Sequence, residues 1–490
     1  MGALALMGLT GVFVAWGTRG LLATGVTFGN FLPLLLPVAA AALSLILIRP
    51  VMGALAVLAF SFVNPASLPT LAEFGEFSIR LGDVFLGILL LSVFFRVTLQ
   101  NRMIVSQEFA KLFVPLSVFL LYIGLSLVNV ALNLPNHFLF SLASYLRLVL
   151  TAFFGLLLHI ALVDRRTVIS FHRAFLGLCM LSIIVAGWEA WQGIEIQRAA
   201  EFSSRFEGLL GVNSLGLVSG LLVLYAVVKK RDRYRTAAWP LLFCFGVLGL
   251  FLAKSASSIL ATCGSLAIYW ASRQLGNTVR KRYLLLKLPV ATLAMIVVTG
   301  LAVSTLRPGD FRGLVDVTEG SFVHRLVITY AGLRIFFEHP LLGVGWQGSG
   351  TMDIVGSAAL NTLLMDKFMK LPDNYFFLQS ATSLHNMYIQ FLGELGILGF
   401  LLFVLAGLWT AKAVIRILSN IPIGSPYEVA AQFYAFGLLF LLIWWNTNPL
   451  FGGQVESTLA FSFLGALAAV ARLERLREKD ASTTSRDSAT

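Results

Sequence analysis

Residues 383–411 read SLHNMYIQFLGELGILGFLLFVLAGLWTA. From Asn386 to Ala411 this run carries one charged side chain, Glu394, and it exceeds the ~20 apolar residues a helix needs to cross a bilayer core. Similar runs recur along almost all of the 490 residues, of which 58% are hydrophobic and 12% charged, with a mean hydropathy of +0.85. A soluble protein of this size carries about twice that charged fraction. The fold class expected is therefore all-α, a polytopic transmembrane helical bundle. The runs are continuously apolar instead of alternating, which excludes a β-barrel.

The net charge of +12 is not a nucleic-acid signature. The basic residues gather in short breaks between apolar runs, at Arg96–Lys111, Arg165–Arg173, Lys229–Arg235, Arg273–Lys287, Lys412–Arg416 and from Arg472 onward. Two runs separate each neighbouring pair of breaks, so all six share one side, the cytoplasmic one by the positive-inside bias. The spans drawn are 3–16, 31–48, 51–64, 79–99, 109–132, 138–163, 168–191, 208–228, 237–253, 256–271, 284–306, 386–411, 428–446 and 456–472. The first three are short or weak, so the count is 12 to 14. The chain divides into transmembrane helices over 1–306, an outer loop over 307–385, C-terminal transmembrane helices over 386–472, and a tail over 473–490 whose charged, Ser/Thr-rich composition predicts a disordered cytoplasmic end. Residues 1–16 lack the basic start of a cleavable signal peptide. Cys179, Cys244 and Cys263 fall within spans, have no metal-ligand spacing and read as buried apolar fillers.

The long loop is the one extended polar stretch between spans, and loops of that length are usually functional or disordered. Within it, EGSFVHRLVITYAGLRIFFEHPLLGVG places Leu326, Tyr330, Leu333 and Phe337 at helical spacing. An amphipathic helix on the outer surface is predicted there, ended by Pro340. His385 stands where the next apolar helix begins, where the positive partial charge of a helix N-terminus favours the neutral imidazole that a general base needs. Arg205, Arg325 and Arg147 are expected on the outer side, where Arg is least common. Arg147 lies inside a span, and an ionisable group there is a functional candidate by default. Guanidinium groups match phosphate geometry and stay charged. The bland alternatives are a salt bridge of Arg205 with Glu201 or Glu207, a solvated helix face for Arg325, and snorkelling by Arg147. His324 and His339 lack metal-site spacing, and His137, His159 and His172 read as structural. Asp310, Asp316 and Glu319 are too loosely spaced for a convincing cation site, and no metal or cofactor is expected.

The run SLHNMYIQFLGELGILG resembles the signature of the bacterial O-antigen ligase and polymerase superfamily. The likeness lies in His385-Asn386, the aromatic Tyr388, and Glu394-x-Gly396-x-x-Gly399. Upstream, Pro340-x-x-Gly343-x-Gly345 resembles the family's turn before the histidine. Arg325 sits on the preceding helix as the family's loop arginine does, and Arg205-x-x-Gly208 followed by Asn213 resembles a further family element. The turn at Lys254-Ser255-Ala256-Ser257 departs from the Ser-Arg pair common in relatives.

The resemblance implies an inverting, metal-independent glycosyltransferase of the bacterial inner membrane with its active site on the periplasmic face. It would move a glycan from an undecaprenyl-diphosphate carrier to an acceptor hydroxyl. His385, Arg325 and Arg205 would be catalytic, and Arg147, Asn386, Tyr388 and Glu394 would bind diphosphate or glycan. Glycines 393, 396 and 399 would let the His-bearing helix approach a neighbour closely. A lipid A core acceptor makes the enzyme a ligase, and a carrier-linked acceptor makes it a polymerase. A Ser or Thr acceptor makes it a protein O-oligosaccharyltransferase. The remaining alternative is a lipid-linked glycan transporter, against which stands the scarcity of charge along the spans.

Overall fold

The computed structural model describes residues 50–62, 70–74, 77–80, 87–88, 106–193, 206, 208–210, 212–230, 238–275, 321–351, 353–368, 384–450 and 455–487. Twelve α-helices lie among them: α1 Pro50–Ser61, α2 Gln107–Asn133, α3 Phe138–Ala161, α4 Arg165–Gln192, α5 Val212–Lys229, α6 Ala238–Ala253, α7 Ala256–Leu275, α8 Ser321–Glu338, α9 Ala358–Lys367, α10 Met387–Asn420, α11 Glu428–Trp444 and α12 Val455–Asp487. Five of these segments (α2, α3, α4, α10 and α11) are long and apolar enough to cross a membrane, and α5 and α6 are shorter apolar helices. The protein is a polytopic helical bundle. The expected spans 3–16, 31–48 and 284–306 lie outside the described residues.

One difference is a small antiparallel hairpin, β1 Thr70–Phe74 and β2 Phe77–Arg80, that pairs Phe74 with Phe77. The span drawn from 79 thus begins with two residues, Ile79 and Arg80, that belong to a strand. A second is the C-terminal tail, which continues α12 as helix to Asp487. Glu474 explains its first turns, because Arg477 one turn on and Ser425 at the start of the neighbouring α11 both bond its carboxylate.

The bundle has two distinct ends. At one, Arg472 donates to the carbonyl of Leu162 at 2.8 Å, Arg475 pairs with buried Glu108, and Ser425 bonds Glu474. This end gathers Lys111, Arg165, Lys229, Lys412 and Arg416, as the sequence grouping requires. At the other, the indole N–H of Trp444 donates to Ser258 at 3.2 Å and the backbone N–H of Met387 to the carbonyl of Asn448 at 3.1 Å. Helix contacts rely on small residues: Gly465 of α12 meets the backbone of Gly155 in α3, and Gly249 of α6 meets Ser219 of α5. Side chains without volume bring backbones close, which matters where lipid gives no hydrophobic incentive for helices to associate. Of the cysteines, Cys179 is buried and Cys263 half-buried, but Cys244 is exposed. An apolar thiol on α6 meets no penalty facing lipid, so hydropathy alone did not fix its side.

Candidate active site

The site is assembled around the first half of α10. Asn386 is its N-cap, its carboxamide oxygen accepting from the N–H groups of Tyr388 (2.9 Å) and Ile389 (3.2 Å), which satisfies two of the donors every helix start leaves open. His385 immediately precedes this cap and is half-buried. Tyr388 donates its hydroxyl to the carbonyl of Leu442 at 2.7 Å, fixing α10 to α11.

Beside α10 runs α8. A Cβ on Gly332 would meet Leu384 and Ile389, whereas Gly393 lies against Ile335. Residue numbers therefore rise together along the contact, and the two helices are parallel. Ile328 and Leu384 share one apolar cluster. Arg325 lies one turn before Ile328 and His385 directly follows Leu384, so the structure brings both to the same end of the same helix pair. As a helix, α8 packs along the first half of α10. Its buried stripe is Val327, Ile328, Ala331 and Ile335, whereas Leu326 and Phe337 are exposed. The helix is apolar on both faces, so spacing without a polar side gave no phase.

From Pro340 the chain folds back along α10. The N–H of Ile397 donates to Pro340 at 2.8 Å, Val344 donates to Gly393 at 3.0 Å and Gly345 to Glu394 at 2.8 Å. This exchange is open only because α10 breaks at Gly396, with φ 65° and ψ −170°. The three glycines hence do separate work: Gly393 admits α8, Gly396 breaks the helix, and Gly399 packs on Tyr122 of α2. All three allow the close approach expected of them, and Gly396 in addition breaks the helix, with the returning chain at Leu341 against it.

Glu394 is 1% exposed and fully engaged. Ser349 donates to one carboxyl oxygen at 2.6 Å and Gln390 to the other at 3.2 Å. Gln390 also exchanges both its amide groups with the peptide of Leu450, to which Gln347 donates as well. The loop at 343–351, α10 and the segment after α11 thus share one buried polar network, tied further to α2 by Asn129 to Gly343 and by Trp346 to Ser126. Sequence reading missed Ser349, Gln347 and Gln390. Gln390 was within reach, four residues from Glu394 on one helical face; Ser349 depends on long-range folding. Glu394→Ala would strand both donors, at a cost of ~1–3 kcal/mol for each. Its melting temperature in detergent should fall by several degrees, whereas Glu338→Ala at the exposed end of α8 should leave it unchanged.

Arg205 lies outside the described residues. Its neighbour Phe206 is buried, and the N–H of Gly208 donates to Glu189 at 2.8 Å, which ties this stretch to the end of α4 distant from the basic break. Arg147 is half-buried within α3. Lys254 forms the tight turn between α6 and α7 with φ 46°, followed by a buried hydroxyl group of Ser255, Ser257 and Ser258. Among the described residues no group of His, Cys, Asp or Glu could hold a metal ion.

A cavity of about 950 Å³ opens between α2, α10, α11 and α12. Met387, Trp445 and Leu450 line it near the His385 end, and Leu418, Ile421 and Ile423 near the basic end. Its wall is largely apolar, with Thr410, Glu428 and Gln432 among the polar exceptions, and follows most of the length of α10.

No curated protein matches the chain. Residues 240–404, about a third of it, match the family model described as O-Antigen ligase, a stretch running from α6 into α10 that includes Arg325, His385 and Glu394. This match supports the likeness of this multi-pass membrane protein to the O-antigen ligase and polymerase superfamily of glycan-transferring membrane enzymes.

Proposed function

We propose that the chain is an O-antigen ligase, an inverting, metal-independent transferase that moves a glycan from undecaprenyl diphosphate to a hydroxyl of the lipid A core on the periplasmic face of the inner membrane. The observation that supports the reading is the parallel pairing of α8 and α10, with Arg325 and His385 at one end of it, together with a long, largely apolar cavity lined by Met387 on the same helix. A carrier lipid needs that combination, with hydrocarbon space for its chain and fixed cations for its diphosphate.

The acceptor O–H gives its proton to His385 while its oxygen attacks the anomeric carbon from the face opposite the leaving group. The bond from that carbon to the phosphate oxygen breaks, and the electron pair leaves with the diphosphate. Arg325 and Arg205 meet the charge that grows there, with Arg147 assisting. Asn386, Tyr388 and Glu394 serve as positioning residues, since their polar groups hold α10, α11 and the 343–351 loop in register.

Removing one donor from such a charge-stabilising site lowers turnover by ~10²–10³-fold, and this is the loss expected for Arg325→Ala. Arg334→Ala removes only an exposed ion pair with Glu338 on the same helix, and should leave activity within about threefold. Equal small effects of the two would make Arg325 a solvated helix residue. The acceptor is tested by a gel of surface glycans from a deletion strain. A ligase leaves free core with long carrier-linked polymer accumulated; a single repeat attached to the core would instead identify a polymerase.

A further inference from the structure

The basic end of the bundle holds a second cavity, about 320 Å³, where α2, α10 and α12 meet. Its charged lining consists of Lys111, Arg416 and Arg475 against Glu108, Glu474 and Glu478. Four of the charges in and around it are already committed. Buried Glu108 pairs with Arg475, and buried Glu474 takes Arg477 at 2.6 Å and Ser425 at 2.7 Å. The remaining lining charges are two cations and one carboxylate. The side chains of Lys111 and Arg416, from different helices, have no ion pair among the described residues, and Glu478 makes no direct one.

Lys111, Arg416 and Glu478 are exposed at the cavity rim, where water screens them, and a ligand carrying both an anion and a cation would replace that water with paired charges. Ala413, Ile417, Ile421 and Ala471 give the cavity an apolar floor, and Ile421 also lines the long apolar cavity. A soluble anion would gain nothing from that floor, whereas the glycerol and acyl part of a phospholipid would. We propose that this cavity binds a phospholipid of the leaflet at the basic end through a phosphoethanolamine headgroup. Its phosphodiester bridges Lys111 and Arg416, and its ammonium lies against Glu478. The site is separate from the one holding Arg325 and His385, so it stands or falls independently of the transferase reading.

The experiment is native mass spectrometry of the purified full chain, titrated with phosphatidylethanolamine, phosphatidylglycerol or phosphatidylcholine. The wild type should retain one phosphatidylethanolamine at least fivefold more strongly than the other two, because glycerol offers Glu478 no cation and choline no N–H donor. K111Q/R416Q should lose about tenfold of that retention. E478Q should reverse the preference towards phosphatidylglycerol, and K412Q, on the same helix but outside the lining, should behave as wild type. The single variants K111Q and R416Q, each expected to lose part of the retention, provide the same reading should the double variant lose helicity. Equal retention of the three lipids by the wild type, or unchanged retention in both single variants, would overturn the proposal. So would displacement of the lipid by an equal concentration of free phosphorylethanolamine, since that would show a site for soluble phosphates.

Discussion

His385→Ala is expected to lower glycan transfer by ~10²–10⁴-fold, the usual contribution of a positioned general base, while protein level and thermal stability stay near wild type. Stability should hold because the start of α10 is secured by groups other than the imidazole. Asn386 caps the helix, Met387 donates to Asn448, and Leu384 beside it anchors the apolar cluster with Ile328. The measurement is initial rate in vesicles supplied with a glycan-diphosphate lipid and acceptor. Loss should fall on turnover more than on donor affinity, because the proposed mechanism assigns donor binding to the arginines. Undiminished transfer at normal protein level would remove His385 from the chemistry.

Gly396→Ala should give the largest loss of stability. The backbone there has φ 65° and ψ −170°, a region essentially reserved for glycine, where another residue costs ~1–3 kcal/mol. A Cβ would also overlap the carbonyl of Leu341, and that contact cannot relax without moving the strand of chain that bonds Ile397, Glu394 and Gly393. The displaced loop carries Gln347 and Ser349, so the polar network around Glu394 should open as well. Thermal unfolding in detergent should show a loss exceeding ~2 kcal/mol, with activity falling alongside. Gly407 supplies the control on the same helix. A Cβ there meets nothing within 4 Å, and Gly407→Ala should gain up to ~1 kcal/mol from helix propensity. Equal melting temperatures for the two variants would mean that the break in α10 does not fix the loop.

Much of this architecture was legible in the chain because lipid imposes a simple constraint. An unbroken apolar run has to become a helix, since no water is present to satisfy an open backbone. Hence 109–132, 138–163 and 168–191 correspond closely to α2, α3 and α4, and the basic residues described at one end come from the breaks between runs. The same constraint hid the rest. On α8, apolar residues are both buried and exposed, so periodicity selected Leu326 and Phe337 when Val327 and Ile335 are the buried ones. The 3-residue spacing of Gly393, Gly396 and Gly399 looked like a packing stripe, and only the return of the chain at Pro340 shows that the middle glycine breaks the helix. Glu394 was singled out by its charge inside an apolar run. Its partner Ser349, 45 positions away, had no local mark. The hairpin at 70–80 is too short to register against the apolar stretches around it.

The proposed reaction is a covalent transfer at the end of the α8–α10 pair that carries Arg325 and His385. The most direct test reconstitutes the purified chain with a lipid-diphosphate glycan and a lipid A core acceptor, without nucleotide or ion gradient, and follows the mass of both lipids. The acceptor is expected to gain the glycan mass with inverted anomeric configuration while free carrier diphosphate appears. Glycan that stays on its carrier, or merely changes leaflet, would contradict the proposed reaction.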